Sequence, residues 1–306
     1  MIERYDILGL GCVAIDDLLY LPSYPPADSK MQVSRRERQC GGLTCTALVA
    51  AARLGSQCVY GGTLGDDELS CFILKQMHGE GIDVAHVNLR AGARPIHSTI
   101  IVDEGKQTRT ILYDLFGVEG AKPDWPSEDV LRSARVLLVD HFGVEGMSRA
   151  SRIARAAGIP VVADFERDNV EGFSGLLELV DHLILGQDFA CRRTETENAA
   201  AAAQALWSDA RDTVVVTCGD KGCWYVSEQT KTPALMPAFR VPVVDTTGCG
   251  DVFHGAYASA LARGLDLTDR LRFASAAAAL KAGHRGGQAG IPARPAVEQF
   301  LKESAS

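Results

Sequence analysis

The chain has 306 residues, 46% of them hydrophobic and 23% charged, with a net charge of -8. This ordinary globular balance suits one large α/β domain, and the scattered Lys and Arg argue against a nucleic-acid or anionic-membrane surface. Nine cysteines, an odd count without C-x-x-C spacing, read as reduced and mostly buried thiols rather than a zinc site or disulfide framework.

In chain order, short apolar β-branched runs at 5–10, 57–61, 136–139, 160–163, 182–185 and 213–217 predict buried strands. The first apolar stretch, 7–15, is too short for a membrane span and ends at Asp16 and Asp17, so a cytoplasmic protein is expected. Helical patterns occupy 42–54, 67–78, 147–157, 197–207, 252–263 and 269–282. Strand and helix alternate, which predicts an α/β fold with a doubly wound, mostly parallel sheet flanked by helices. Two segments break the alternation, 15–36 and 94–114, where "STIIVDEGKQTRTILY" reads as strand, turn and strand. They predict a small β-sheet lid, contributed by about 13–37 and 92–115, within a single domain over 1–306.

Near the N-terminus "GLGCVA" gives Gly9, Gly11 and Ala14 the spacing of a dinucleotide fingerprint. That fingerprint requires a helix to follow at once, whereas the next residues alternate like a strand and then meet Pro22, Pro25 and Pro26. A nicotinamide site is therefore not expected.

The stretch "DTTGCGDVFHG", Asp245 to Gly255, carries more chemistry. Gly248 and Gly250 allow a tight turn in which successive N–H groups converge on an anion, and a helix starting near Val252 adds its positive dipole end. Asp251 then falls at the N-cap, and as a cap alone it contributes about 1 kcal/mol. A cap does not need two preceding glycines, and a carboxylate beside an anion hole suits a general base for phosphoryl transfer to an alcohol. No G-x-x-x-x-G-K-[ST], H-R-D or D-F-G sequence occurs, so a Walker loop and the protein-kinase signatures are excluded.

"DTTGCGDVFHG" resembles the D-T-x-G-A-G-D signature of the ribokinase-like (pfkB) carbohydrate kinases, with Cys249 where alanine is usual. Four more segments resemble that family in its order: "CGGLTCTALVAAARLG", "GGTLGDDELS", "VVVTCGDKGCWYV" and "RFASAAAALKAGHRGGQAGIP". The resemblance implies an ATP-dependent sugar kinase, with Asp251 as catalytic base and Gly248, Cys249 and Gly250 as the anion hole. It implies that Asp16 accepts hydrogen bonds from sugar hydroxyls, for which an acceptor-only carboxylate is suited. It also implies that Gly41 and Gly42 let the backbone approach the sugar, and that Thr217, Gly219, Gly222, Ala282 and Gly287 lie along ATP.

Mg²⁺ is implied with ATP, and Asp164 and Glu166 in "VVADFERD" are candidates to orient its shell; a solvated acid pair is the alternative reading. The resemblance also allows potassium, held by main-chain carbonyls near Asp245 and Thr247. The family's substrate asparagine is replaced by Thr46, and its N-x-x-E motif reads Gly186 to Phe189, departures that weaken a ribokinase assignment. "YPPADSK" and "RTILY" look most like ketohexokinases and sulfofructose kinases, so a ketose or furanose is the preferred acceptor, with its primary hydroxyl phosphorylated. Phe142 stands where a sulfonate-binding arginine is expected. His97, Arg109, Asp114 and Asp140 or His141 are the residues expected to choose the sugar. A nucleoside kinase of the same fold and a catalytically weak sugar- or nucleotide-sensing module are the alternatives. The small sheet predicts a homodimer through the lid.

Overall fold

The computed structural model describes residues 5–304 apart from Gln107, so residues 1–4, 107 and 305–306 of the expected domain, Gln107 lying in the expected lid, are outside the described residues. An eight-stranded sheet runs in the order Ala234–Met236, Cys223–Ser227, Thr213–Thr217, His182–Gly186, Val161–Asp164, Ala134–Val139, Tyr5–Gly9, Cys58–Tyr60. Its last six strands are parallel, and the hairpin over 223–236 is antiparallel. Helices cover both faces. Along the strands consecutive residues go to opposite cores: Ile7, Val136, Leu138 and Val162 to one, Leu8, Leu137, Val139 and Val161 to the other. This two-sided burial explains why these strands read as unbroken apolar runs, each fully buried aliphatic side chain contributing about 1.5–3 kcal/mol. Among the described residues no helix is long and apolar enough to cross a membrane.

From Tyr5–Gly9 the chain first adds a neighbour on one side, Cys58–Tyr60, and then returns to the other side with Ala134–Val139. That reversal opens a crevice at the carboxyl ends of these two strands. A four-stranded sheet stands over it, in the order Arg35–Gly41, Ala14–Leu21, Ile96–Asp103, Thr108–Asp114. Among the polar contacts that tie this lid to the body, Arg109 Nη1 donates to Asp245 Oδ1 at 3.3 Å, Arg167 Nη2 donates to the Tyr113 hydroxyl at 2.8 Å, and Arg38 Nη1 donates to Glu68 Oε1 at 2.9 Å.

Gly9 and Gly11 serve packing. A β-carbon at Gly9 would lie 2.7 Å from Thr44 Cγ2, and one at Gly11 would lie 2.1 Å from Asp140 Oδ2. The strand Ala14–Leu21 follows directly, with no helix between.

Candidate active site

The signature turn sits between two cavities. One, of about 430 Å³, lies beneath the lid and is lined by Cys12, Gly42, Ser98, Arg109, His141, Phe142 and Arg167 together with 246–248. The other, of about 560 Å³, runs past the carboxyl ends of three strands and includes Asp164, Gln187, Thr217, Gly219 and Lys221. Gly250, Asp251 and Glu166 line both.

The local sequence explains this placement, with one correction to the cap. The helix is Cys249–Ala262, not one starting near Val252, and its N-cap is Gly248 at φ 73°. Asp251 therefore stands inside the first turn, where its side chain is not needed as a cap. Gly248 is required twice over: L side chains rarely take this φ, and a β-carbon there would lie 2.8 Å from the Gly287 carbonyl oxygen. The Cys249 amide closes the turn by donating to Thr246 O at 3.1 Å. The remaining first-turn N–H groups have no acceptor within the helix and stand at its positive dipole end.

The second cavity is strongly acidic at this point. Burial, and then the carboxylates of Glu166 and Asp140, push the Asp164 pKa well above the carboxylate range. Burial followed by Asp164 and Glu166 does the same for Asp251. Asp164 Oδ2 is buried without a hydrogen-bond donor, although the His254 ring approaches it at 3.2 Å. His254 itself is held by two carbonyls, Gly250 O at 2.8 Å from Nδ1 and Ile184 O at 3.0 Å from Nε2. An orphaned carboxylate oxygen among like charges fits a divalent cation. Among the described residues no group of three or more His, Cys, Asp or Glu forms a metal cage by itself.

Asp245 gathers the segments around the turn. Its Oδ1 accepts from Thr247 N at 2.9 Å, from the Thr247 hydroxyl at 2.6 Å and from Arg109, and its Oδ2 accepts from Gly286 N at 2.9 Å. Burial opposes the charge, but the hydrogen bonds from Thr247 and Gly286 bring its pKa below the ordinary value.

The other expected site residues divide. Asp16 lies on the inner face of the lid, on a third cavity of about 790 Å³ that also includes Arg109, Asp245, Thr247 and Gly287. Burial raises its pKa while the Ser98 hydroxyl bonds it. Gly42 has φ 89°, and a β-carbon there would meet Ala14 N at 2.8 Å. Thr217 and Gly219 line the second cavity, whereas Gly222 does not; its bare Cα faces Met236 O, 2.0 Å from where a β-carbon would stand. Ala282 is buried, its carbonyl accepting from Val244 N at 2.8 Å and Asp245 N at 3.1 Å.

Three expected sugar-side residues face elsewhere. Thr46 is buried, its hydroxyl accepting from Gln288 Nε2 at 3.2 Å. Asp140 is enclosed, clamping Cys12 N at 2.6 Å and Phe142 N at 2.8 Å. His97 sits one residue out of phase with Ser98, on the opposite face of the lid, and bonds Asp17 Oδ2 at 2.8 Å. Residues that the sequence reasoning did not single out are Arg167, His254 and Lys281. Lys281 had a readable signal, since it continues the apolar stripe of Leu271, Ala274 and Ala277 along its helix.

Residues 10–294 match the pfkB family carbohydrate kinase model. The chain belongs to the pfkB family of carbohydrate kinases. As a pfkB member it is an ATP-dependent sugar kinase. It is 26% identical to the ribokinase of Haemophilus influenzae over 98% of this chain and 100% of that protein. It is 24% identical to mouse ketohexokinase over 93% of this chain and 98% of that one. Among solved pfkB-type folds, a provisionally assigned ribokinase from Agrobacterium tumefaciens superposes with a TM-score of 0.91 at 28% identity, covering 99% of both chains. The Arabidopsis thaliana ribokinase solved with ribose and ATP gives 0.86 at 23% identity, over 98% of this chain and 99% of that one.

Proposed function

We propose that this kinase, acting as a single domain, transfers the γ-phosphate of ATP to a primary hydroxyl of a small sugar, a ketose or related furanose, with Asp251 as general base. One observation carries the reading: Asp251 and Gly250 belong at once to the lid-side cavity and to the strand-end cavity. A base in that position has room for an alcohol on one side and, on the other, for a phosphate that accepts from the neighbouring amides. The sugar oxygen forms a bond to phosphorus as the bond to the ADP oxygen breaks, and the hydroxyl proton goes to Asp251. First-turn amides after Gly248 stabilise charge developing on the transferring oxygens. The lid, latched through Arg109 and Tyr113, excludes water that would otherwise compete as acceptor.

Asp164 and Glu166 would hold Mg²⁺, whose chemistry is to neutralise phosphate charge. Asp16 and the backbone at Gly41 and Gly42 would receive sugar hydroxyls, and Thr217 and Gly219 would flank the nucleotide. A relative named ribokinase solved with ribose and ATP supports the small-sugar reading, as does one named ketohexokinase for a ketose. Arg109 and Arg167 both line the lid-side cavity, and this favours, as a second reading, a sugar bearing an acidic group.

The nine cysteines, all unpaired, suit a reducing cytoplasm. Ile111, Leu112, Tyr113, Leu115 and Phe116 are exposed at the lid edge and support a homodimer through it; light scattering that gives the mass of one chain would contradict that. ADP release measured across neutral ketoses, aldoses, sugar acids and nucleosides tests the whole reading, with a ketose or its acidic derivative expected to be turned over fastest.

A further inference from the structure

The family resemblance implies a monovalent cation held by main-chain carbonyls near Asp245 and Thr247, and here the chain itself reaches that place. Lys281 is fully buried, and its Nζ donates to the main-chain oxygen of Asp245 at 2.9 Å. We propose that Lys281 is a built-in monovalent cation that replaces potassium beneath the phosphate-facing turn, so that this kinase has no potassium requirement. The inference rests on the reading of that turn given above.

An ammonium carries the same unit charge as potassium and, as a donor of three N–H bonds, it satisfies carbonyl oxygens in the same way. It is also fixed by its helix. Lys281 precedes Ala282, whose carbonyl receives the amides of Val244 and Asp245, so the last turn of Leu267–Ala282 and the residues leading into the signature turn are stitched together. Burial, and after it the Arg109 guanidinium, oppose the ammonium's charge and lower its pKa, while Cys249, Asp245 and Asp251 favour the charge. A second cation at the Asp245 carbonyl would crowd the ammonium that already donates to it, so potassium is not expected to be held there. Lys281 touches no reacting atom in this arrangement. It is a positioning residue that holds the backbone at Asp245 and places a positive charge behind the amides.

Binding of a non-hydrolysable ATP analogue with Mg²⁺, measured by calorimetry in potassium chloride and in choline chloride of equal ionic strength, tests this without any sugar present. Wild-type affinity is expected to agree within twofold in the two salts, and a fivefold or greater tightening in potassium overturns the proposal. Lys281→Met is expected to bind the analogue at least tenfold more weakly in choline and to recover in potassium or ammonium. A merely structural lysine would lower the melting temperature without such ion-specific recovery, and that outcome also overturns it. If Lys281→Met does not fold, the wild-type comparison decides alone. A wild type that binds the analogue but phosphorylates no sugar defeats the sugar reading and leaves this inference standing. If it binds no nucleotide, its melting temperature in the two salts decides: no potassium-specific rise supports the proposal and a rise contradicts it.

Discussion

The carboxyl group of Asp16 packs over the bare Cα of Gly41, where a β-carbon would stand 2.6 Å from Oδ2. Backbone and acid thereby share one small space on the inner face of the lid. Gly41→Ala is expected to push the carboxylate aside and raise KM for the sugar about tenfold or more, with KM for ATP nearly unchanged. Steady-state kinetics with each substrate varied in turn checks this split.

Asp251 has pKa raised first by burial and then by Asp164 and Glu166. At low pH it therefore carries a proton and accepts none, so kcat/KM is expected to rise with pH as that proton leaves. A pH–rate profile of the wild type should show this acid limb. A profile that is flat down to the ordinary carboxylate range would count against Asp251 as base.

Cys249 takes part in the turn through its main chain. Its thiol, half-buried, has a pKa raised by burial, and it donates to the Ala278 carbonyl at 3.6 Å. Because the chemistry assigned to this turn uses amides, Cys249→Ala is expected to keep kcat within about twofold, with a stability change below about 1 kcal/mol. Turnover and thermal melting of this variant test that.

Asp140 makes a stability prediction of opposite sign to the usual carboxylate. Burial raises its folded-state pKa to about 6 from 3.8. The native state thus holds a proton that the unfolded chain releases, and stability falls as pH rises through that window, by about 3 kcal/mol at 1.36 kcal/mol per unit. Asp140→Asn should make the slope shallower by that amount, the part left belonging to the other carboxyls raised by burial, among them Asp16, Asp164 and Asp251. It should also cost about 1–3 kcal/mol, because an amide NH₂ must then face the Cys12 or Phe142 N–H. Denaturant midpoints between pH 4 and pH 7 measure both effects.

Much of this architecture was legible in the sequence, because strands buried on both faces, such as Val161–Asp164 and Thr213–Thr217, leave unbroken apolar runs. The antiparallel hairpin Cys223–Ser227 and Ala234–Met236 was not, since strands of five and three residues at the end of the sheet carry little pattern. The glycines of the signature announced the turn, but not that Gly248 rather than Asp251 caps the helix, which depends on φ at a single residue. His97 shows a second limit: in a strand one position decides the face, and pairing with Asp17 rather than Asp16 is invisible without register. Long-range clamps such as Asp140 on Cys12, and the meeting of Lys281 with Asp245, join residues far apart in the chain and have no local signature.

The central claim is that Asp251 strips the proton from a sugar hydroxyl at the junction of the two cavities. Its most direct test is ADP release by wild type and Asp251→Asn on the best sugar found, alongside ATP-analogue affinity. The account predicts a 10²–10⁴-fold loss of kcat, about 3–5 kcal/mol of barrier, with nucleotide affinity within about threefold. Turnover of Asp251→Asn at the wild-type rate would contradict it.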